Sequence, residues 1–297
     1  MPIKISNEKV SEVIDIINSD HGTNYELIDQ FSTGEWGAYR IAERDEGEVV
    51  LKFFLDLKDT NIVDPNPNLA KKITERLRGF GYPTPEYLYS GRLYQEGLYW
   101  VQELLPGEPL WKNPSVDQVK KLLSLLKLQR NQAVSSEQNL SEFVKAVVFD
   151  RAFGKADKLK SYSDDTKMLL DQSIELAKEA KEPTSSNKDI VHGDFSYHQA
   201  MVKDDEITGI IDWQEAGCGD WLIDLSRLIY SLHDRPQLAE PIVEELKKQD
   251  PRRIKLYTAY TVLEMVSWPV SRHGQEVSSG SINKAKSAIN FVSNCIW

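Results

Sequence analysis

Asp194 follows the short apolar stretch of DIVHGDF, and Asp212 closes a second one, ITGIID. Two carboxylates at adjacent strand ends can meet across one cleft. Phosphoryl transfer needs such a pair. One carboxylate orients or deprotonates the attacking hydroxyl, and the other holds the divalent ion that bridges the phosphates. An HGD triplet alone says little, because aspartates are common as turn residues and caps. HGD, an apolar hairpin and IDW in that order say much more.

Lys52 sits inside the apolar stretch VVLKFFL. A lysine there costs desolvation unless it finds an anion. An edge strand with a snorkelling lysine is the plain alternative; contact with the alpha- and beta-phosphates of a nucleotide is the chemical one. The turn STGEWG lies just upstream. Backbone N–H groups from Ser32 to Gly37 could line a triphosphate, with Gly34 and Gly37 allowing close approach.

These residues need a frame. Residues 7–19 place Val10, Ile14 and Ile17 on one helical stripe, with Asn7 as the expected N-cap. YELIDQF, Tyr39 to Glu43 and VVLKFFL read as strands, and EYLYS and LYWVQEL as two more. Between them a helix begins near Pro67 or Asn68, runs to Gly79 and carries Leu69, Ile73 and Leu77. LPGEPL then turns the chain away. This divides the chain into residues 1–105 and a mostly helical part, 106–297. Helices are expected over 116–130, 137–150, 164–181, 220–232, 238–248, 253–269 and 279–294. A hairpin is expected around Asp204 and Asp205.

The 297 residues can bury a large core or two lobes sharing a cleft. A net charge of -10 disfavours nucleic acid as a partner, because a backbone binder needs a positive face. No apolar run is long enough to span a bilayer, and the first residues lack the apolar region of a signal peptide, so a cytoplasmic location is expected. Cys218 and Cys295 are too few for a disulfide scaffold, and the five histidines lack zinc-ligand spacing.

At this point the chain resembles the aminoglycoside phosphotransferase family, relatives of choline kinase and, more distantly, of protein kinases. The resemblance covers most of the chain. It is most specific over 191–224 and extends to ERLRGFGYPTP (75–85) and VQELLPGEPL (101–110). It implies an α+β, two-lobed, protein-kinase-like fold, with a five-stranded antiparallel N-lobe, a hinge and a mainly helical C-lobe. It also implies ATP and magnesium as cofactors and a small molecule with a hydroxyl group as partner. By the family's pattern Asp194 is the catalytic aspartate, Asp212 the metal aspartate and Lys52 the phosphate-contacting lysine. Glu103 and Leu105 would meet the adenine through hinge backbone groups. Asp220 and Asp224 would brace the catalytic loop.

Two positions depart from that pattern. Asparagine is usual five residues after the catalytic aspartate, and here Gln199 stands there as the expected second metal ligand. The helix glutamate that pairs with the lysine is replaced by Ala70 in a gap-free match. Glu75, the only carboxylate of that helix, is the substitute candidate. Together these departures keep a second reading open, a kinase-fold protein that binds nucleotide with little or no turnover. The acceptor would be walled by the C-lobe helices, where Tyr257, Tyr260, Glu264, Trp268 and Trp297 are available. A cationic, aminoglycoside-like acceptor fits the acidic balance.

Overall fold

The computed structural model describes residues 5–32, 37–43, 47–55, 65–94, 97–150, 154–180, 186–273 and 277–295. Helix α1 (Asn7–His21) is capped by Ser6, whose side chain accepts from Lys9 N, and not by Asn7. Asn7 is already the first helical residue, so its side chain is one position too late to serve. Strands β1 (Glu26–Gln30), β2 (Ala38–Glu43), β3 (Gly47–Phe54), β4 (Tyr87–Leu93) and β5 (Gly97–Glu103) form one antiparallel sheet in the order β1-β2-β3-β5-β4.

Side chains alternate across this sheet. One face, with Ile41, Leu51, Phe53, Tyr99 and Val101, buries against Val10, Val13, Ile14 and Ile17 of α1. The other face carries Lys52, Phe54 and Trp100 and looks toward helix α2 (Pro67–Arg78). Asn66 caps α2 and Pro67 opens it, where a missing N–H costs nothing. Leu69, Ala70, Ile73 and Leu77 bury in the larger core, together with Trp213 from the second half of the chain. The sheet and α1 thus have a small core of their own, while α2 belongs to the core that runs on through the helices.

After β5, β6 (Glu108–Pro109) leads to α3 (Val116–Leu128), which starts with a reciprocal Ser115–Gln118 capping box. Helices α4 (Leu140–Val148), α5 (Lys155–Tyr162) and α6 (Asp164–Ala177) follow. The chain then crosses to β7 (Asp189–Val191), the hairpin β8 (Ala200–Lys203) and β9 (Glu206–Ile210), and β10 (Gly217–Gly219). Helices α7 (Leu222–Leu232), α8 (Pro236–Leu246), α9 (Pro251–His273) and α10 (Ser279–Cys295) complete the described chain.

The hairpin turns at Asp204 and Asp205, both with positive φ, as a two-residue turn of this twist requires. Helix α9 is the axis of this half and packs against α4, α5, α6, α7 and α10. The architecture is therefore mixed α and β, a five-stranded antiparallel sheet followed by a mainly helical half. Among the described residues no helix is long and apolar enough to cross a membrane.

Two elements differ from the sequence-based expectation. Helix α5 has only Lys155, Ala156 and Leu159 buried and no side-chain cap, so its pattern is faint. Strand β10 is Gly-Cys-Gly, a composition with no strand preference. It forms because β7 offers it a partner, Gly217 opposite Val191.

Candidate active site

Strand β7 delivers the segment His192–Gln199, and Asp224 on α7 fixes its start. The two carboxylate oxygens of Asp224 accept from His192 N at 2.7 Å and Gly193 N at 3.0 Å. Gln129 donates to the same carboxylate at 3.0 Å and in turn accepts from Tyr82. Gly193 has φ +88°, a conformation that a side chain rarely adopts, and it turns the next residue toward the cleft. Burial pushes the Asp224 carboxyl above its usual range, opposed by His192 and the donors around it. Asp220 ties the start of α7 to α9 instead, accepting from Arg253 and from the Tyr257 hydroxyl.

His192 joins the two aspartate-bearing segments. Its Nδ1 accepts from Asp194 N at 3.2 Å, and its Nε2 lies 2.7 Å from the carbonyl of Ile211. The first bond requires a bare Nδ1, which makes Nε2 the protonated nitrogen and the donor. The ring also lies 4.5 Å from that of Trp213, whose Nε1 donates to Ile210 O. One buried imidazole therefore sets the backbone on both sides of the cleft.

Asp212 has φ +70°, which costs a non-glycine residue on the order of 1 kcal/mol. The turn Trp213–Glu215 begins there. Its Oδ1 is bonded directly by Lys52 Nζ, and both side chains are mostly shielded, at 18% and 23% exposed. Asp194 is more open, at 40% exposed. Gln199 Nε2 donates to Asp194 Oδ2 at 2.8 Å, and Arg227 Nη1 donates to Oδ1 at 3.1 Å.

The remaining expected nucleotide contacts are scattered. Ser32 is exposed at the end of β1, Gly34 lies outside the described residues, and Gly37 has φ +77° where β2 begins. Glu103 spends its carboxylate on Arg78 and Glu86 N, and its own N–H on Glu86 O. What it can still offer a ligand is its carbonyl. Leu105 is buried, and its side chain fills the space beside Gly209 where any larger residue would clash. Glu75 does not reach Lys52. It lies on the exposed side of α2, opposite the buried Leu69–Ala70–Ile73 stripe, and Asp212 takes the lysine instead.

Of the residues expected to be available to an acceptor, Glu264 is buried with both oxygens bonded by Lys155. Tyr257 is bound to Asp220, Tyr260 is buried beside Phe143, and Trp268 is half-buried. Trp297 lies outside the described residues. No group of three or more His, Cys, Asp or Glu side chains able to hold a metal occurs among the described residues. One carboxylate, Asp212, and one amide oxygen, that of Gln199, suit magnesium, which takes most of its oxygens from phosphate and water. They would not suit zinc.

Arg227, Gln129 and Lys155 were missed by sequence reasoning. Arg227 follows Asp224 in DLSR, and a charge inside the otherwise largely apolar run LIDLSRLIYSL was the available signal. Gln129 and Lys155 gave none.

The model of a family described as the phosphotransferase enzyme family matches residues 30–257. No curated protein matches. Among solved structures, a thermostable mutant of aminoglycoside phosphotransferase APH(4)-Ia, in ternary complex with ADP and hygromycin B, is 15% identical with TM-score 0.69. That match covers 94% of this chain and 98% of the other. Choline kinase LicA from Streptococcus pneumoniae is 14% identical with TM-score 0.68, covering 97% and 99%. Spectinomycin phosphotransferase APH(9)-Ia, in complex with ADP and spectinomycin, is 16% identical with TM-score 0.62, covering 96% and 97%. At these identities the likeness is one of fold.

Proposed function

The chain belongs to the phosphotransferase enzyme family, and from that premise we propose that it transfers the terminal phosphoryl group of ATP to a hydroxyl of a small molecule. The carrying observation is that one buried imidazole, His192, links the backbone at Asp194 to that beside Asp212, which Lys52 bonds in turn. In this reading residues 1–105 bind the nucleotide and 106–297 supply the catalytic segment and the acceptor site. Lys52 contacts the alpha- and beta-phosphates. Ser32, Gly34 and Gly37 line the triphosphate, and backbone groups of Glu103 and Leu105 meet the base. Asp194 accepts a hydrogen bond from the acceptor hydroxyl and aims its oxygen at the phosphorus. Asp212 and the amide oxygen of Gln199 would hold magnesium, which supplies charge neutralisation on the phosphates.

The finer form of the reading names a cationic, aminoglycoside-like acceptor. The net charge of -10 supports it. The pairing of Glu264 with Lys155, and of Asp194 with Arg227, leaves two nearby carboxylates less free to hold an ammonium group. Salt dependence of KM for the true acceptor separates these, because a screened charge contact weakens as salt rises.

The second reading, a nucleotide binder without turnover, is favoured by the exposed Glu75 and by Gln199 in the usual place of asparagine. One experiment separates the two. Transfer of labelled phosphate from ATP with magnesium is followed across a panel of polyols and amino alcohols. Labelled product supports the kinase; saturable ATP binding with no product on any acceptor, water included, supports the binder.

A further inference from the structure

We infer that Arg227 is a positioning residue for the transfer: from beneath the catalytic segment it fixes the direction of the Asp194 carboxylate toward the acceptor. This rests on the phosphotransferase reading above.

Arg227 lies on α7, only 6% exposed. Taking a guanidinium out of water costs several kcal/mol after relaxation, so a buried arginine needs a compensating partner. Burial alone would pull its pKa down; the Asp194 carboxylate, together with Tyr260, Glu264 and Glu215, outweighs that and holds it up. The pair is lopsided, since Asp194 is 40% exposed and could be solvated without help. A buried ion pair is weak support for stability, because apolar residues of similar volume often serve as well. What the arginine adds is direction. It holds Oδ1 while Gln199 holds Oδ2, so the carboxylate plane cannot rotate. About four lone-pair sites exist on a carboxylate, which leaves room for a hydroxyl on the open side.

The surroundings keep Arg227 at this task. Its guanidinium lies 5.9 Å from the Tyr260 ring on α9. Glu264, one turn further along α9, competes for it and attracts Arg227 electrostatically, as Glu215 does more weakly. Both Glu264 oxygens are already bonded by Lys155 from α5. Lys155 thereby occupies the stronger of the two competitors. The order across the helical lobe is Lys155, Glu264, Arg227, Asp194, alternating in charge.

The test compares Arg227→Met and Arg227→Lys with wild type in MgATP turnover, using water or the best acceptor of the panel, with thermal melts as a folding control. Misaiming an attacking group by about 1 Å costs on the order of 100-fold, so kcat of Arg227→Met should fall by roughly that factor. The KM for ATP should stay within about twofold, because in this reading the arginine acts through Asp194. Arg227→Lys should fall less, and millimolar guanidinium ion should restore part of the lost rate in the methionine variant. The inference is overturned by a folded Arg227→Met enzyme with wild-type kcat. It is equally overturned by a loss shared between kcat and ATP affinity with no guanidinium rescue. Should the methionine variant not fold, a folded Arg227→Lys enzyme with unchanged kcat overturns it. A wild type with no turnover on any acceptor defeats the phosphotransferase reading itself, and this inference with it.

Discussion

Lys52 and Asp212, 160 residues apart in the chain, are bonded side chain to side chain across the cleft. Neither is open enough for water to replace the other fully. With Ala70 buried where a helix glutamate is usual in the family, Asp212 is the carboxylate that holds Lys52 in place. Lys52→Met should raise the KM for MgATP about tenfold and lower kcat as well, since a charge-assisted contact to phosphate is worth roughly 1.5–3 kcal/mol. Steady-state kinetics over a wide ATP range checks this. Unchanged kinetics would remove Lys52 from the nucleotide site.

Glu75→Gln should be almost silent. The side chain is exposed, and Lys52 is engaged elsewhere. Stability should move by less than about 0.5 kcal/mol, as for surface changes away from special features. A large loss of kcat in this variant would mean that α2 moves to bring Glu75 to Lys52 during turnover.

Gln199 turns its amide nitrogen to Asp194, which points its oxygen the other way. If that oxygen helps to hold magnesium, Gln199→Ala should raise the magnesium concentration for half-maximal rate by about tenfold or more, the usual cost of weakening a metal's surroundings. Gln199→Asn should leave the requirement unchanged or lower, because the shorter side chain suits the strict distances of magnesium. Magnesium titrations of the rate decide. A requirement unaffected by Gln199→Ala would confine Gln199 to holding Asp194.

Asp224→Asn replaces a carboxylate that three donors share. An amide presents one N–H where an acceptor is needed, so the cost should be about 3 kcal/mol. Its pH dependence has a defined sign. Burial raises the Asp224 pKa above 3.8, so the folded state binds this proton more tightly than the unfolded chain. The stability this gives is complete below about pH 3.8 and is lost as pH rises through the raised value. Asparagine has no such response. The gap in melting temperature between wild type and variant should therefore widen as pH falls from 7 toward 4. A gap that narrows would show the donors winning over burial.

The sequence revealed what is encoded locally. Strand alternation around Lys52, the stripe on α1, and the order of HGD, hairpin and IDW all follow from neighbouring residues. Contacts made by tertiary packing left little local trace, the charge at Arg227 being the exception. Arg227 meets Asp194 from 33 residues away, Gln129 meets Asp224 from 95, and Lys155 meets Glu264 from 109. For Glu264, the resemblance to the family puts the side chain among those available to an acceptor. Its partner comes from α5, a short helix with a faint pattern, and pairing removed that availability. Strand β10 is legible only once β7 is beside it.

The most direct measurement is phosphoryl transfer by Asp194→Asn beside wild type, with ATP binding measured separately on both. The variant keeps the shape of the side chain but loses the charge that aims the hydroxyl. Its ATP affinity should stay near wild type, while kcat falls by about three orders of magnitude or more, because the interaction is realised mainly in the transition state. Wild-type turnover in Asp194→Asn would contradict the assignment of Asp194 and with it the proposed mechanism.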